Sequence, residues 1–194
     1  PLLVSIVFVI IVLKVTGIDY DTYDKGANVL SYLLTPSTVC LAIPLYQQMN
    51  LLKKNLKAII AGITTGVFAS LAGVWVFSML FHLKKQFYVT LLPKSITTAI
   101  GMGISEELGG IVTITVAVII ITGVLGNMIA EVVYKIAKIE EPIARGLGLG
   151  TSAHAIGTAK AMELGPVEGA MSSLAIAVAG LLTVVGASVF AGMM

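Results

Sequence analysis

Long apolar runs alternate with short polar interruptions along the whole chain. Residues 1–13 are apolar and end at Lys14. An acidic, aromatic stretch follows, DYDTYDK at 19–25. Residues 26–52 carry no charge but are broken by Pro36 and Pro44, and basic KKNLK occupies 53–57. Residues 58–80 run uninterrupted to HLKK at 82–85. Residues 86–105 hold one charge, Lys94, and are broken by Pro93. A clean run at 111–130 leads to KIAKIEEP at 135–142, a small-residue segment fills 146–165, and 169–194 is apolar to the end. The runs read as helices, because a membrane crossing needs about 20 apolar residues for roughly 30 Å of hydrocarbon. The pattern predicts an all-α, polytopic membrane protein of about seven membrane segments with interrupted or re-entrant helices.

Three strong segments (58–80, 111–130, 169–194) alternate with three weak ones centred near 36–48, 93–105 and 150–163. The alternation reads as an internal repeat with an offset of 57 residues. Gly66, Gly123 and Gly180 fall in register, as do Thr38, Ser95 and Ser152; TGV recurs at 65–67 and 122–124, and Pro36 matches Pro93 as Glu106 matches Glu163. Units of 28–84, 85–141 and 142–194 follow, within a single transmembrane domain over 1–194. A weak segment that crosses makes successive units point the same way; one that re-enters makes them invert. Lysine placement favours neither, since Lys53, Lys54 and Lys57 flank one end of the 58–80 span and Lys84 and Lys85 the other.

Composition agrees with the membrane reading. Of 194 residues, 57% are hydrophobic and 11% charged, and the mean hydropathy is +1.01, too apolar for a water-facing surface. A formal net charge of +2 without a basic, aromatic-interleaved patch argues against nucleic acid as a partner. The single cysteine, Cys40, reads as a packing residue. Residues 1–13 lack a basic leader and a small-residue cleavage site, and the start at Pro1 inside an apolar run raises the expectation of helices before it. His82, His154 and Cys40 have no zinc spacing, GLGLG is not a phosphate loop, and no catalytic triad is readable, so no metal, cofactor or enzymatic activity is expected.

The weak segments carry the candidate chemistry. Proline removes an amide donor and breaks a helix, and a broken helix in hydrocarbon is tolerated only inside a bundle or beside a wet cavity. New helix N-termini attract anions, and TPST, PKSITT and GTS each offer hydroxyl caps beside such an end. The charged and titratable residues of these segments are Lys94, His154, Lys160 and Glu163. Lys94 reads either as an anion contact or as a snorkelling side chain. His154 reads as a proton relay or as an interhelical hydrogen bond. Lys160 and Glu163, three apart, can pair. Close-packed small residues with mutually satisfied hydroxyls are the competing reading of all three segments.

Three stretches, LLTPSTVCLAIPLYQQ at 33–48, LLPKSITTAIGMGISEELGG at 91–110 and ARGLGLGTSAHAIGTAKAMELGPVEGAMSSLA at 144–175, resemble the LrgB/CidB family of bacterial membrane proteins. The resemblance covers nearly the whole chain, with Thr35 standing where the family often has glycine. Position within these motifs implies as substrate-binding candidates Pro93, Lys94, Ser95, Thr97 and Thr98, then Thr151, Ser152, His154, Gly157, Thr158, Lys160 and Glu163, and the matching first break adds Pro36, Ser37 and Thr38. It implies a multi-pass protein of the bacterial plasma membrane. Family proteins were named for control of murein hydrolase activity and autolysis, often beside a small holin-like LrgA/CidA partner. A plastid relative carries glycolate and glycerate, and bacterial relatives are linked to pyruvate uptake. The expected function is therefore a secondary transporter of small monocarboxylates such as glycolate, glycerate or pyruvate. The alternative is a non-transporting modulator of a holin-like partner and murein hydrolase activity. A small carboxylate, membrane lipid, a second copy in a homodimer and an LrgA/CidA-like protein are the expected partners.

Overall fold

A computed structural model describes the chain apart from residues 1, 34, 35, 37, 38 and 41. All regular structure among the described residues is helical. The chain divides into two compact units, Pro1–Ile43 and Pro44–Met194.

The first unit contains α1 (Leu2–Thr16) and α2 (Tyr20–Ser31). Asp19 begins α2 by accepting from the Thr22 amide at 3.0 Å and the Thr22 hydroxyl at 2.6 Å. These bonds, the hydroxyl's first, hold its carboxyl below the usual range. At 15 residues, α1 is about 22 Å long.

The boundary falls within α3 (Ala42–Gln47), and the second unit continues with α4 (Met49–Lys54), α5 (Leu56–Leu80), α6 (Lys85–Leu91), α7 (Thr98–Glu107), α8 (Val112–Ile136), α9 (Pro142–Leu164) and α10 (Pro166–Ala191). Of the described helices, three are long and apolar enough to cross a membrane: α5, α8 and α10. The expected count of about seven segments is not met among the described residues, because the weak segments at 93–105 and 150–163 do not form continuous crossings; the first weak segment lies partly outside the described residues.

Local contacts show what they form instead. In a straight helix, residues 149 and 157 stand about 12 Å apart. Here a Cβ on Gly157 would lie 2.6 Å from the Leu149 carbonyl oxygen. The chain therefore reverses between them, at His154, whose φ of 43° and ψ of −136° are non-helical. The arm 142–153 and the arm 155–164 make a helical hairpin. Both arms lie on the first half of α10. Gly146 and Gly150 face Glu168 and Ser172 from one arm, while Met162 faces Gly169 and Thr158 faces Ser172 from the other.

Residues 85–107 make a second hairpin. Thr90 in α6 and Ser105 in α7 meet at one residue: the Thr115 hydroxyl lies 2.9 Å from the Thr90 carbonyl and 2.7 Å from the Ser105 hydroxyl. The Ile111 amide, before the first turn of α8, donates to the Thr90 hydroxyl at 2.9 Å. Gly101 approaches both Pro93 and Ile119, so the bend lies at 92–97, level with the middle of α8.

The hairpins enter from opposite ends of α8. The 85–107 hairpin starts and finishes at the Val112 end, as the Thr90, Ser105 and Ile111 contacts require. The 142–164 hairpin starts and finishes at the Ile136 end, where the Tyr134 hydroxyl donates to the Arg145 carbonyl at 2.8 Å and Lys160 pairs with Glu131. α5 begins at the Ile136 end too, because Gly62 and Gly66 face Leu147 and Thr151. Both weak segments of this unit thus re-enter and turn back.

Small residues set the interhelical spacing. A Cβ on Gly150 would lie 2.5 Å from the Ser172 carbonyl oxygen and 2.6 Å from the Ala175 Cβ, so only glycine admits this approach. We predict that Gly150→Val destabilises the unit by about 1–3 kcal/mol. Gly103, within α7 and with nothing within 4 Å of a built Cβ, is the control. Gly103→Ala should be neutral or stabilising by up to about 1 kcal/mol. Thermal unfolding of both variants in micelles checks the pair, and equal melting temperatures would contradict this packing.

Candidate functional site

Both bends arrive at the same stretch of α8, residues 119–126. His154 Nε2 donates to the Ile119 carbonyl at 3.0 Å, and its ring fills the space that a Cβ on Gly123 would need. Asn127 Nδ2 donates to the Ile156 carbonyl at 3.0 Å, which fastens the first turn after the bend. A positive φ on a non-glycine residue is strained, and it persists only where neighbours hold it. Here the imidazole contact and the buried Thr158 and Ser172 hydroxyls, 2.7 Å apart, do so.

Lys94 sits in the other bend. It is partly buried, and its ammonium donates to Ser95 Oγ at 2.8 Å and to Ser70 Oγ of α5 at 3.3 Å. Ser70 also donates to Ser95 at 3.0 Å. The ion pairs among the described residues are those of Lys160 with Glu131 and Glu163, so no described carboxylate pairs with Lys94. An ammonium offers three donors, and the two serines take two of them. A cation at this depth costs about 2.5–3.5 kcal/mol when it has no compensating partner.

Two cavities share Lys94 as their one charged lining residue. One, of about 380 Å³, runs along α5 past Ser70, Gly73, Phe77 and Ser78 to Phe81 and Leu83 beyond its Leu80 end. The other, of about 440 Å³, passes Thr122, Gly126 and Ser152 to Val133, Tyr134 and Ile139 near the Ile136 end of α8. The ammonium thus faces one recess on each side. The helices that begin after the bends, α7 and the 155–164 arm, place their first-turn amides at the same depth.

The structure brings together part of the expected residue set. Pro93, Lys94, Ser95, Ser152 and His154 lie at the bends, with Gly157 and Thr158 packed just behind His154. Thr97 precedes α7 without a side-chain capping bond, and Thr98 opens that helix. Thr151 and Ser152 do not cap a helix start either. Their hydroxyls donate back to Leu147 at 2.8 Å and Gly148 at 2.6 Å, because the break falls at His154 and leaves both inside the preceding helix. Lys160 and Glu163 pair at 3.3 Å as expected, but at the Ile136 end, away from the bends. Pro36 is exposed in the first unit, and Ser37 and Thr38 lie outside the described residues. Sequence reasoning missed Ser70, Thr122 and Asn127. Each is a polar residue inside a strong span, and that was the available signal.

No group of three or more histidine, cysteine, aspartate or glutamate residues suited to a metal ion occurs among the described residues. No solved structure matches the chain. The model of the LrgB-like family matches residues 1–193. That family is one of non-catalytic membrane proteins, and the long apolar helices fit a multi-pass bacterial membrane protein. Matched over nearly its entire length, the chain belongs to the LrgB-like family.

Proposed function

We propose that this protein is a secondary transporter of small monocarboxylates such as glycolate, glycerate or pyruvate. One observation carries the reading: an ammonium without a carboxylate partner among the described residues stands where two helix bends meet and two cavities adjoin. A carboxylate would supply the missing countercharge and take the free donor of Lys94. Amides at the starts of α7 and the 155–164 arm favour the same charge. Hairpins held by small residues and a few hydroxyl bonds can shift against α5 and α8, which would open one recess as the other closes.

The 57-residue repeat belongs to this proposal. Offset by 57, His154 corresponds to Thr97, and the chain leaves helical geometry at both. Gly123 faces His154 in one hairpin, and its counterpart Gly180 faces Ile100 in the other. The units 85–141 and 142–194 would then be inverted copies, each with one hairpin and one crossing.

A second reading has its own support. A groove of about 590 Å³ is walled by small residues of α5 and α9, including Ala58, Gly62, Gly66, Ala144 and Gly148. Such a surface suits a partner helix, as a modulator of an LrgA/CidA-like holin partner would need. The same face could meet a second copy in a homodimer. Crosslinking to a coexpressed partner, with no solute flux, would favour this reading.

Labelled pyruvate, glycolate and glycerate uptake into proteoliposomes tests the transporter. At least one should accumulate down an imposed gradient. Lys94→Ala should cut the rate about 10- to 100-fold, the loss expected for a hydrogen bond to a charged group. Circular dichroism and melting should stay close to wild type. Folded protein that carries none of the three acids would defeat the reading.

Charge placement predicts the orientation. Lys53, Lys54, Lys57, Lys135, Lys138 and Arg145 flank the Ile136 end, against Lys84 and Lys85 at the other. The Ile136 end should face the cytoplasm. Single cysteines at Lys138 and Lys84, in a Cys40→Ala background, should label from opposite sides of intact cells. Only the cysteine at position 84 should react with an impermeant reagent added outside.

A further inference from the structure

The cavity along α5 is larger than a two- or three-carbon acid would fill. Its volume is about 380 Å³, and its lining apart from Lys94 and two serines is apolar. Ser70, beside Lys94, stands at the inner end. Ser78 stands eight residues further along the helix, about 12 Å away.

Ser78 is 1% exposed, and its hydroxyl has no hydrogen-bond partner among the described residues. Three hydroxyls in the long helices are satisfied by their own helix backbone. Thr64, Ser173 and Ser188 each donate to the carbonyl four residues before them. An unmade buried hydrogen bond is costly, and a native structure that keeps one calls for a reason. Trp75, one turn before Ser78, likewise has a buried indole nitrogen without a partner.

Resting on the transporter reading, we propose that this cavity binds a longer monocarboxylate lengthwise. The carboxylate meets Lys94, the hydrocarbon chain lies on Phe77 and Phe81, and a distal hydroxyl or oxo group bonds Ser78. The span between Lys94 and Ser78 sets a chain of about six to eight carbons. Acids of two or three carbons occupy only the Lys94 end, so Ser78 selects among substrates by length and by distal polarity.

Trp75 is the single tryptophan of the chain, and it lies on the same helix as the site. Its fluorescence reports binding to the purified protein in nanodiscs. Titration uses acetate, hexanoate, 6-hydroxyhexanoate and the uncharged control hexanol. Hexanoate should bind at least tenfold more tightly than acetate, and 6-hydroxyhexanoate several-fold more tightly again. Ser78→Ala should erase the gain from the distal hydroxyl while leaving hexanoate binding, and Ser78→Thr should retain it. Lys94→Gln should weaken all three acids and leave hexanol unchanged.

Equal affinities across the acids, or a hydroxyl gain that survives Ser78→Ala, would overturn the assignment. Pyruvate uptake by the same preparation separates the two proposals. Uptake with a flat length series sinks only the longer-acid site. A length series as expected, without flux of any acid, upholds the binding site and sinks transport.

Discussion

Hydrocarbon gives backbone amides and carbonyls nothing to bond, so a helix that breaks within a membrane must find its partners inside the protein. That constraint organises the second unit. The bend at His154 is met by α8, which offers the Ile119 carbonyl to the imidazole and the Asn127 amide to the Ile156 carbonyl. The bend at 92–97 is enclosed by Ser70 of α5 on one side and Gly101 and Ile119 on the other. Neither bend could sit on the lipid face, and the central position of α8 follows from serving both hairpins.

Close packing follows from the same constraint. Two arms of one hairpin can share α10 only if the backbones approach closely, and Gly146, Gly150 and Gly169 permit that. Without a strong hydrophobic drive between helices in lipid, such contacts and a few hydroxyl bonds hold the bundle. The large apolar side chains then turn outward. Phe68, Ile121, Val132 and Leu181 are each at least half exposed, as a lipid-facing surface requires. Lys94 stands at mid-depth, partly buried in the bend at 92–97. Its long stem cannot lift a charge from there to either interface while Ser70 and Ser95 hold the ammonium.

The fold was partly legible in the sequence. Uninterrupted apolar runs marked α5, α8 and α10, because a crossing needs only length and hydropathy. The weak segments were marked as broken, but whether they cross or return depends on tertiary partners that no single segment encodes. The count of about seven erred for that reason: a hairpin and a crossing have similar composition. Pro93 pointed to its bend correctly. The other bend falls on His154 rather than on the glycines before it, since the imidazole, and not backbone freedom, finds the stabilising contact. Lys94 was legible as an isolated charge in an apolar run, whereas its partner Ser70 looked like any small residue of a span. The Lys160–Glu163 pair was legible from spacing alone, and spacing could not tell that it stands at the membrane face.

Topology explains why the two bends confront each other. A hairpin returns the chain to the face from which it came, and the crossing after it moves the chain to the other face. A second hairpin must therefore enter from the opposite side. Two hairpins of similar length then reach the same depth, with the helices after their bends starting toward each other. Had the weak segments crossed fully, their breaks would belong to separate helices with no reason to share a level. In the proposed transporter, this alternation gives Lys94 one cavity toward each face without any symmetry between the cavities' side chains. The apolar wall and the unpaired Ser78 hydroxyl on one side, against Thr122 and Ser152 on the other, make the two approaches chemically unequal. A solute that prefers one wall is retained longer on that side, so the direction of easier release is set by the chain's own residues as well as by the gradient.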